Sequence, residues 1–187
     1  MEQNTLRTER LLLRPWKEDD AEALYEYAKD PRVGPAAGWP VHTDVEDSRR
    51  VIRDVLSIKE SYAIVPKGAD RPVGSIGLMI GQKDGREMGA GGAEIGYWIG
   101  VPFWGRGLVP EAVRELLRHA FEDLKLEIVW CGYYDGNEKS KRVQEKCGFV
   151  YHHTEQEKDC PLLHETRTEH FTRMTRAEWL RHQGGQK

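Results

Sequence analysis

The sequence predicts an α/β domain of the α+β kind, built on a mixed, mostly antiparallel six- to seven-stranded sheet flanked by helices. Short segments with period-two or wholly apolar character alternate with segments whose apolar residues recur every three or four positions. They follow one another in the order β-α-α-β-β-β-α-β-α-β-β-α, without an internal repeat, which describes layers of helix packed on one sheet. A chain of 187 residues, 39% apolar and 32% charged, can bury one core without metals or disulfides. Residues 1–182 are expected to form this domain, with a disordered tail at 183–187.

Leu11 to Leu13 read as a strand between Arg10 and Arg14, stopped by Pro15, which has no N–H for a sheet ladder. Acidic Glu18, Asp19 and Asp20 suit a helix N-terminus, and Ala21, Leu24, Tyr25 and Ala28 continue at helical spacing to Asp30-Pro31. A Gly- and Pro-containing loop covers Val33 to His42. Thr43 and Glu46 form a capping-box pair, and Val45, Ile52, Val55, Leu56 and Ile58 extend a second helix to about Lys59. Ser61 to Val65 and Val73 to Ile80 form a hairpin around Gly68 and Asp70. Gly81 to Gly92, rich in glycine, is expected to be a mobile loop before a fourth strand, Glu94 to Ile99.

A third helix is expected from Pro110, where Val113, Leu116, Leu117, Ala120 and Phe121 share one face. Ile128 to Tyr133 reads as a fifth strand and Glu138 to Lys146 as a helix ended by Gly148. Strands at Phe149 to His153 and Arg167 to Met174 follow, then a terminal helix capped by Thr175 and Glu178.

A formal charge of −3 gives no basic excess for a nucleic-acid surface. No apolar run approaches the roughly 20 residues of a membrane span, and no leading apolar segment suggests secretion. Cys131, Cys147 and Cys160 are odd in number, which fits a reducing cytoplasm better than a disulfide framework. A zinc site assembled from Cys147, His152, His153, Cys160 and His164 has poor spacing, since no Cys-x-x-Cys occurs and adjacent strand histidines point to opposite faces. No metal is expected.

The junction between the fourth strand and the third helix carries the chemistry: Trp104-Gly105-Arg106-Gly107-Leu108-Val109. A helix start presents unpaired N–H groups and about half a positive charge, so it stabilises phosphate. Glycines at 105 and 107 permit positive φ and close backbone approach, and Arg106 adds a fork of donors. No Gly-Lys-Ser/Thr follows and no third glycine appears, which removes the nucleotide-kinase and dinucleotide-fold readings.

Five blocks in order, Thr8-Glu9-Arg10-Leu11-Leu12-Leu13-Arg14, Glu94-Ile95-Gly96-Tyr97-Trp98-Ile99, the 104–107 turn with Glu111-Ala112, Asn137-Glu138-Lys139-Ser140, and Glu145-Lys146-Cys147-Gly148-Phe149, resemble the GNAT N-acetyltransferases. Within that superfamily the likeness is to the branch containing ribosomal-protein N-terminal acetyltransferases. The resemblance implies acetyl-coenzyme A as donor, its pyrophosphate on the 104–109 turn and its pantetheine arm along the fourth strand at Trp98 and Ile99, in a splay between strands four and five. Two departures stand out. The family usually has Gly or Ala where this chain has Val109, and Pro110 offers no N–H, although Pro suits a first helical position.

By the same resemblance, Glu94 is the position of a carboxylate that deprotonates the amine, Ser140 the serine that protonates the departing thiolate, and Asn137 a binder of the pantetheine arm. Each also has an ordinary structural reading: a strand glutamate, a first-turn serine and an N-cap. Tyr133 and Tyr134 are alternative acids, and Trp39 and His42 are placed on the acceptor side. The expected partner is an amine, either a peptide N-terminus or a small molecule, and the chain is expected to be a monomer or homodimer. A non-catalytic coenzyme A-binding module with the same fold is the competing reading, with Val109 and Pro110 as its support.

Overall fold

In a computed structural model, which describes residues 5–83, 86–87 and 91–184, eight strands form one sheet: β1 Leu6–Arg7, β2 Leu11–Arg14, β3 Ser61–Pro66, β4 Gly74–Ile80, β5 Gly92–Ile99, β6 Ile128–Tyr134, β7 Val150–Cys160 and β8 Glu165–Thr175. Their spatial order is β1-β2-β3-β4-β5-β6-β8-β7. The count exceeds the expected six to seven because Leu6–Arg7 adds an edge strand on β2. The strands expected fourth and fifth are therefore β5 and β6. Their pairing is parallel, while the other neighbours run antiparallel.

Period-two alternation sorts the core into two layers. Leu11, Leu13, Tyr62, Ile64, Ala93 and Ile95 pack on one face beneath α3, Leu108–Arg118. From the same strands, Leu12, Ala63, Val65 and Trp98 turn to the other face, toward α1, Ala21–Ala28, and α2, Val45–Val51. The remaining helices are α4, Glu138–Lys146, and α5, Arg176–Gly184.

Helix α3 starts two residues earlier than expected. Gly107 is its N-cap, Leu108 its first residue and Pro110 its third. Proline is tolerated there because first-turn amides have no helical acceptor; the first intrahelical bond, 3.3 Å, runs from the Glu111 N–H to the Gly107 carbonyl. The helix continues in a π turn, His119–Asp123, that buries Ala120 and Phe121.

Helix α2 departs further from expectation. Its cap is Asp44, whose carboxylate accepts from the Asp47 N–H at 2.7 Å, while Asp47 accepts from the Thr43 N–H at 3.0 Å. The cap is thus shifted by one from Thr43 and Glu46 to Asp44 and Asp47, with the return bond made to the Thr43 N–H. Regular helix ends at Val51 and a π turn spans Ile52–Leu56. One extra residue per turn rotates later side chains by about 100°, so Ile52 is buried while Val55 and Ile58 are 56% and 51% exposed.

Strand β7 runs to Cys160, well past His153, and β8 begins at Glu165. Of the expected mobile loop at 81–92, residues 84–85 and 88–90 lie outside the described set, and 82–83 pair with 86–87 as a small ribbon. The Thr175 and Glu178 cap of α5 forms as read, with bonds of 2.8 and 3.3 Å. That helix includes Gln183 and Gly184; residues 185–187 lie outside the described set.

Candidate active site

After β5, a one-turn segment Val101–Phe103 leads into Trp104 and two left-handed glycines, Gly105 at φ 73° and Gly107 at φ 74°. An L side chain is strained at such φ values, whatever the space around it. Around Gly105 a Cβ would meet nothing within 4 Å, so the turn is open as well as left-handed. It presents the first amides of α3, Leu108 and Val109, to a cavity of about 510 Å³.

The turn is braced from behind. Glu111, in the first turn of α3, accepts from the Thr8 hydroxyl, the Arg10 N–H at 2.8 Å and Arg10 Nε at 2.6 Å, and Arg10 also donates to the Arg106 carbonyl at 3.0 Å. Burial raises the Glu111 pKa, but the Thr8 and Arg10 bonds outweigh it and hold the carboxyl below its ordinary value. On the far side, Trp104 Nε1 donates to the Ile99 carbonyl at 2.9 Å, and Lys139 sits 3.9 Å from the Trp104 ring centroid.

Helix α4 forms the opposite wall. Asn137 caps it, accepting from the Ser140 N–H at 3.1 Å, and donates to the Ala36 carbonyl at 3.2 Å. Lys139, Arg142 and Lys146, one face at helical spacing, line the cavity. These basic side chains escaped the sequence reading, although their i, i+3, i+7 spacing was visible. Arg106 does not line the cavity; its guanidinium lies 5.3 Å from the Phe103 ring centroid.

The opening in the sheet is explicit in the register. Strands β5 and β6 pair only at Gly92 with Ile128, Ala93 with Val129 and Glu94 with Trp130. Beyond Glu94, β5 keeps β4 as its described partner and turns its other main-chain edge to the cavity. A polar edge of this kind suits an amide-bearing arm. Open glycines, first-turn amides, a basic helix face and this edge together fit coenzyme A.

Alternation divides the side chains at the splay. Tyr97 and Cys131 belong to the layer under α3. Tyr97 OH lies 3.0 Å from Ser140 Oγ, which also accepts from Gln144 Nε2 at 3.2 Å, and Gln144 accepts from the Thr172 hydroxyl at 2.8 Å. Burial, then the neighbouring Cys131, pushes the Tyr97 pKa well above its usual value, so this phenol stays protonated. On the opposite face Glu94, 1% exposed, lines the cavity, and the Trp98 ring stands with Trp16 and Trp39 at centroid distances of 6.5 and 5.7 Å.

Other expected residues fall outside. Trp39 and His42 buttress Trp98 rather than line the cavity; Trp39 lies 5.3 Å from the buried His42 ring, whose Nδ1 is 2.7 Å from Ser48 Oγ. Arg32, Val33, Ala36 and Ala37 supply that wall instead. Of the two tyrosines, Tyr134 lines the cavity, while Tyr133 packs on His170. Burial and a 3.7 Å contact with Cys160 Sγ raise the Tyr134 pKa. Among the described residues, no group of three or more His, Cys, Asp or Glu could hold a metal ion. Contrary to the expected alternation, the adjacent histidines do not point apart: His152 and His153 meet at 2.8 Å between Nδ1 atoms, because the β7–β8 register shifts beside them.

Residues 10–150 match the family described as Acetyltransferase (GNAT) domain. N-acetyltransferase p20 of Bacillus licheniformis, itself uncharacterized, is 38% identical over 128 residues, 65% of this chain and 68% of its own length. YdaF of Bacillus subtilis (strain 168), provisionally named a ribosomal N-acetyltransferase, is 48% identical over 58 residues, 31% of this chain and 32% of its own. The solved structure of a GNAT-family acetyltransferase from Bacillus anthracis superposes with a TM-score of 0.81 at 24% identity, covering 94% of this chain and 100% of that one. A family match that takes in the glycine turn, the splayed strands and the basic face of α4 establishes that this chain belongs to the GNAT acetyltransferases and is an acyltransferase.

Proposed function

We propose that this protein moves the acetyl group of acetyl-coenzyme A to a primary amine, either a peptide N-terminal α-amino group or a small molecule, by direct attack with both substrates bound. The observation that carries this reading is a single cavity lined by an anion-binding helix start and by a buried carboxylate, Glu94, where the sheet opens. The donor supplies an activated acetyl thioester. Leu108 and Val109 amides bind its diphosphate, with Lys139, Arg142 and Lys146 adding positive charge. Residues 1–182 act as one catalytic domain.

Glu94 takes a proton from the amine, directly or through water, and Ser140, positioned by Tyr97 and Gln144, gives one to the departing thiolate. An α-amino group near pKa ~8 demands less of the base than a lysine near ~10.4. A peptide N-terminus is favoured by the likeness to the ribosomal-protein branch and by the name of YdaF.

Coenzyme A thiol release, measured with N-terminal peptides, aminoglycosides and simple primary amines, tests the reading. Turnover above background supports it. Tight coenzyme A binding without turnover across the panel would make the protein a binding module. Gly107→Glu, which sets bulk and negative charge against the phosphates, should raise the coenzyme A Kd roughly 100-fold or more by calorimetry; an unchanged Kd refutes the phosphate placement.

A further inference from the structure

Glu169 occupies a place in the cavity wall that the acetyl-transfer reading does not use. It is 5% exposed, sits on β8 opposite Tyr134, and lines the cavity. Its Oε2 is ion-paired with Lys158 of β7, whose ammonium also lies 5.0 Å from the Phe171 ring centroid. Among the described residues no donor bonds its Oε1. That oxygen lies over Gly132, where a Cβ would come within 2.2 Å of it. Gly132 thus leaves room for a carboxylate inside the splay that any other residue would displace.

The side of the sheet decides what this carboxylate meets. Cys131 belongs to the layer under α3, so alternation turns Gly132 and Tyr134 to the opposite face. Glu169 pairs with Tyr134 in register and shares that face, as the crowding at Gly132 confirms. The 34–38 loop lies there too, since a Cβ on Gly38 would be 2.7 Å from Tyr134 OH. The cavity is therefore polarised. Lys139, Arg142 and Lys146 line it from α4, whereas Glu94 and Glu169 line it from the sheet. Arg32, the remaining lining cation, is forked onto Asp30 at 2.9 and 2.6 Å.

We infer that Glu169 is the specificity-determining residue for the acceptor: its Oε1 accepts a hydrogen bond from the ammonium of a cationic amine and holds that nitrogen in the splay. The inference rests on the acetyl-transfer reading. Glu169 gains and loses no proton; one ammonium proton leaves to Glu94 or water, and the neutral amine attacks while a remaining N–H still bonds Glu169. An acceptor lacking a cationic amine forfeits this contact.

The test measures steady-state thiol release with an alanyl peptide and with n-butylamine, alongside calorimetric coenzyme A binding. Glu169→Gln should raise the KM for each amine at least tenfold, change kcat less than threefold and leave the coenzyme A Kd unaltered, with Glu169→Asp between it and wild type. A purely structural role would move kcat, KM and the coenzyme A Kd together. If Glu169→Gln fails to fold, Lys158→Met/Glu169→Gln removes both charges and should show the same KM rise. An unchanged KM, or an equal change in coenzyme A Kd, overturns the role of Glu169 alone; wild type without turnover on these amines and on the whole acceptor panel overturns it together with the acetyl-transfer reading.

Discussion

Ser140 is held by a relay of polar side chains, with Thr172 bonding Gln144, Gln144 bonding Ser140, and Tyr97 bonding the same hydroxyl. Members of one relay act as a unit, so their removal is not additive. Ser140→Ala should lower kcat roughly 100-fold with the coenzyme A Kd nearly unchanged, and Tyr97→Phe by a smaller factor; the double variant should match Ser140→Ala in thiol-release kinetics. Multiplicative losses would mean independent roles. That Glu94 and Ser140 would face one cavity was legible from the order of the sequence blocks. Tyr97 and Glu169 were not, because a strand tyrosine or glutamate gains its meaning from the point at which β5 leaves β6, and no local pattern marks that point. His42 shows a different limit. Read as an acceptor-side residue, it is buried beside Trp39, and that burial lowers its pKa despite the opposing charge of Asp47. A histidine whose folded pKa is depressed contributes stability above its unfolded pKa of ~6.5 and loses it as pH falls through the window below, where the unfolded chain binds the proton first. The Tm should therefore drop from pH 7 to pH 5, and His42→Gln should flatten that drop in a pH-scanned melt.

At the scale of elements, helix α3 was the clearest feature of the sequence, since its apolar positions fall on one face and all face the sheet. Its entrance was harder to place, because Pro110 suggests a first position while the left-handed Gly107 sets the real cap. The π turn after Val51 and the length of β7 were hidden. A π turn has no composition signal, and Thr154 to Asp159 is polar on both faces because β7 is an edge strand paired only with β8. The brace between Thr8, Arg10 and Glu111 gives the Thr-Glu-Arg block a physical purpose: it fixes the glycine turn and the start of α3 to the β1–β2 connection. Glu111→Gln keeps the size and loses the charge. It should cost about 1–2 kcal/mol, lowering the Tm by roughly 2–8 °C, and raise the coenzyme A Kd severalfold in calorimetry. Because the Glu111 pKa is lowered in the fold, this contribution is complete above the unfolded carboxyl value of ~4.3 and fades only as pH falls below it.

The molecule as a whole is tied through α3, whose first turn faces the cavity and whose π extension ends in a buried polar cluster. There His119 Nε2 lies 2.9 Å from Glu60 Oε2, His119 Nδ1 lies 2.8 Å from Asp123 Oδ2, and Tyr62 donates to Glu60 at 2.6 Å. Glu60 is 4% exposed, so its carboxylate depends on these partners rather than on water. The cluster joins the turn before β3 to the end of α3. His119→Leu would leave a buried carboxylate without its histidine, at a cost of about 3–5 kcal/mol. Replacing both Glu60 and His119 by Leu removes the charge along with its partner and should cost less than the single change. Urea denaturation of the two single variants and the double variant measures this directly, and a double variant less stable than His119→Leu would show that packing, not charge, holds the helix end. The glycine turn has its own brace at Thr8, Arg10 and Glu111, on the opposite end of α3. His119→Leu should accordingly shift the coenzyme A Kd less than threefold while the denaturation midpoint falls, so that the stability of α3 separates from the proposed binding role of its first turn.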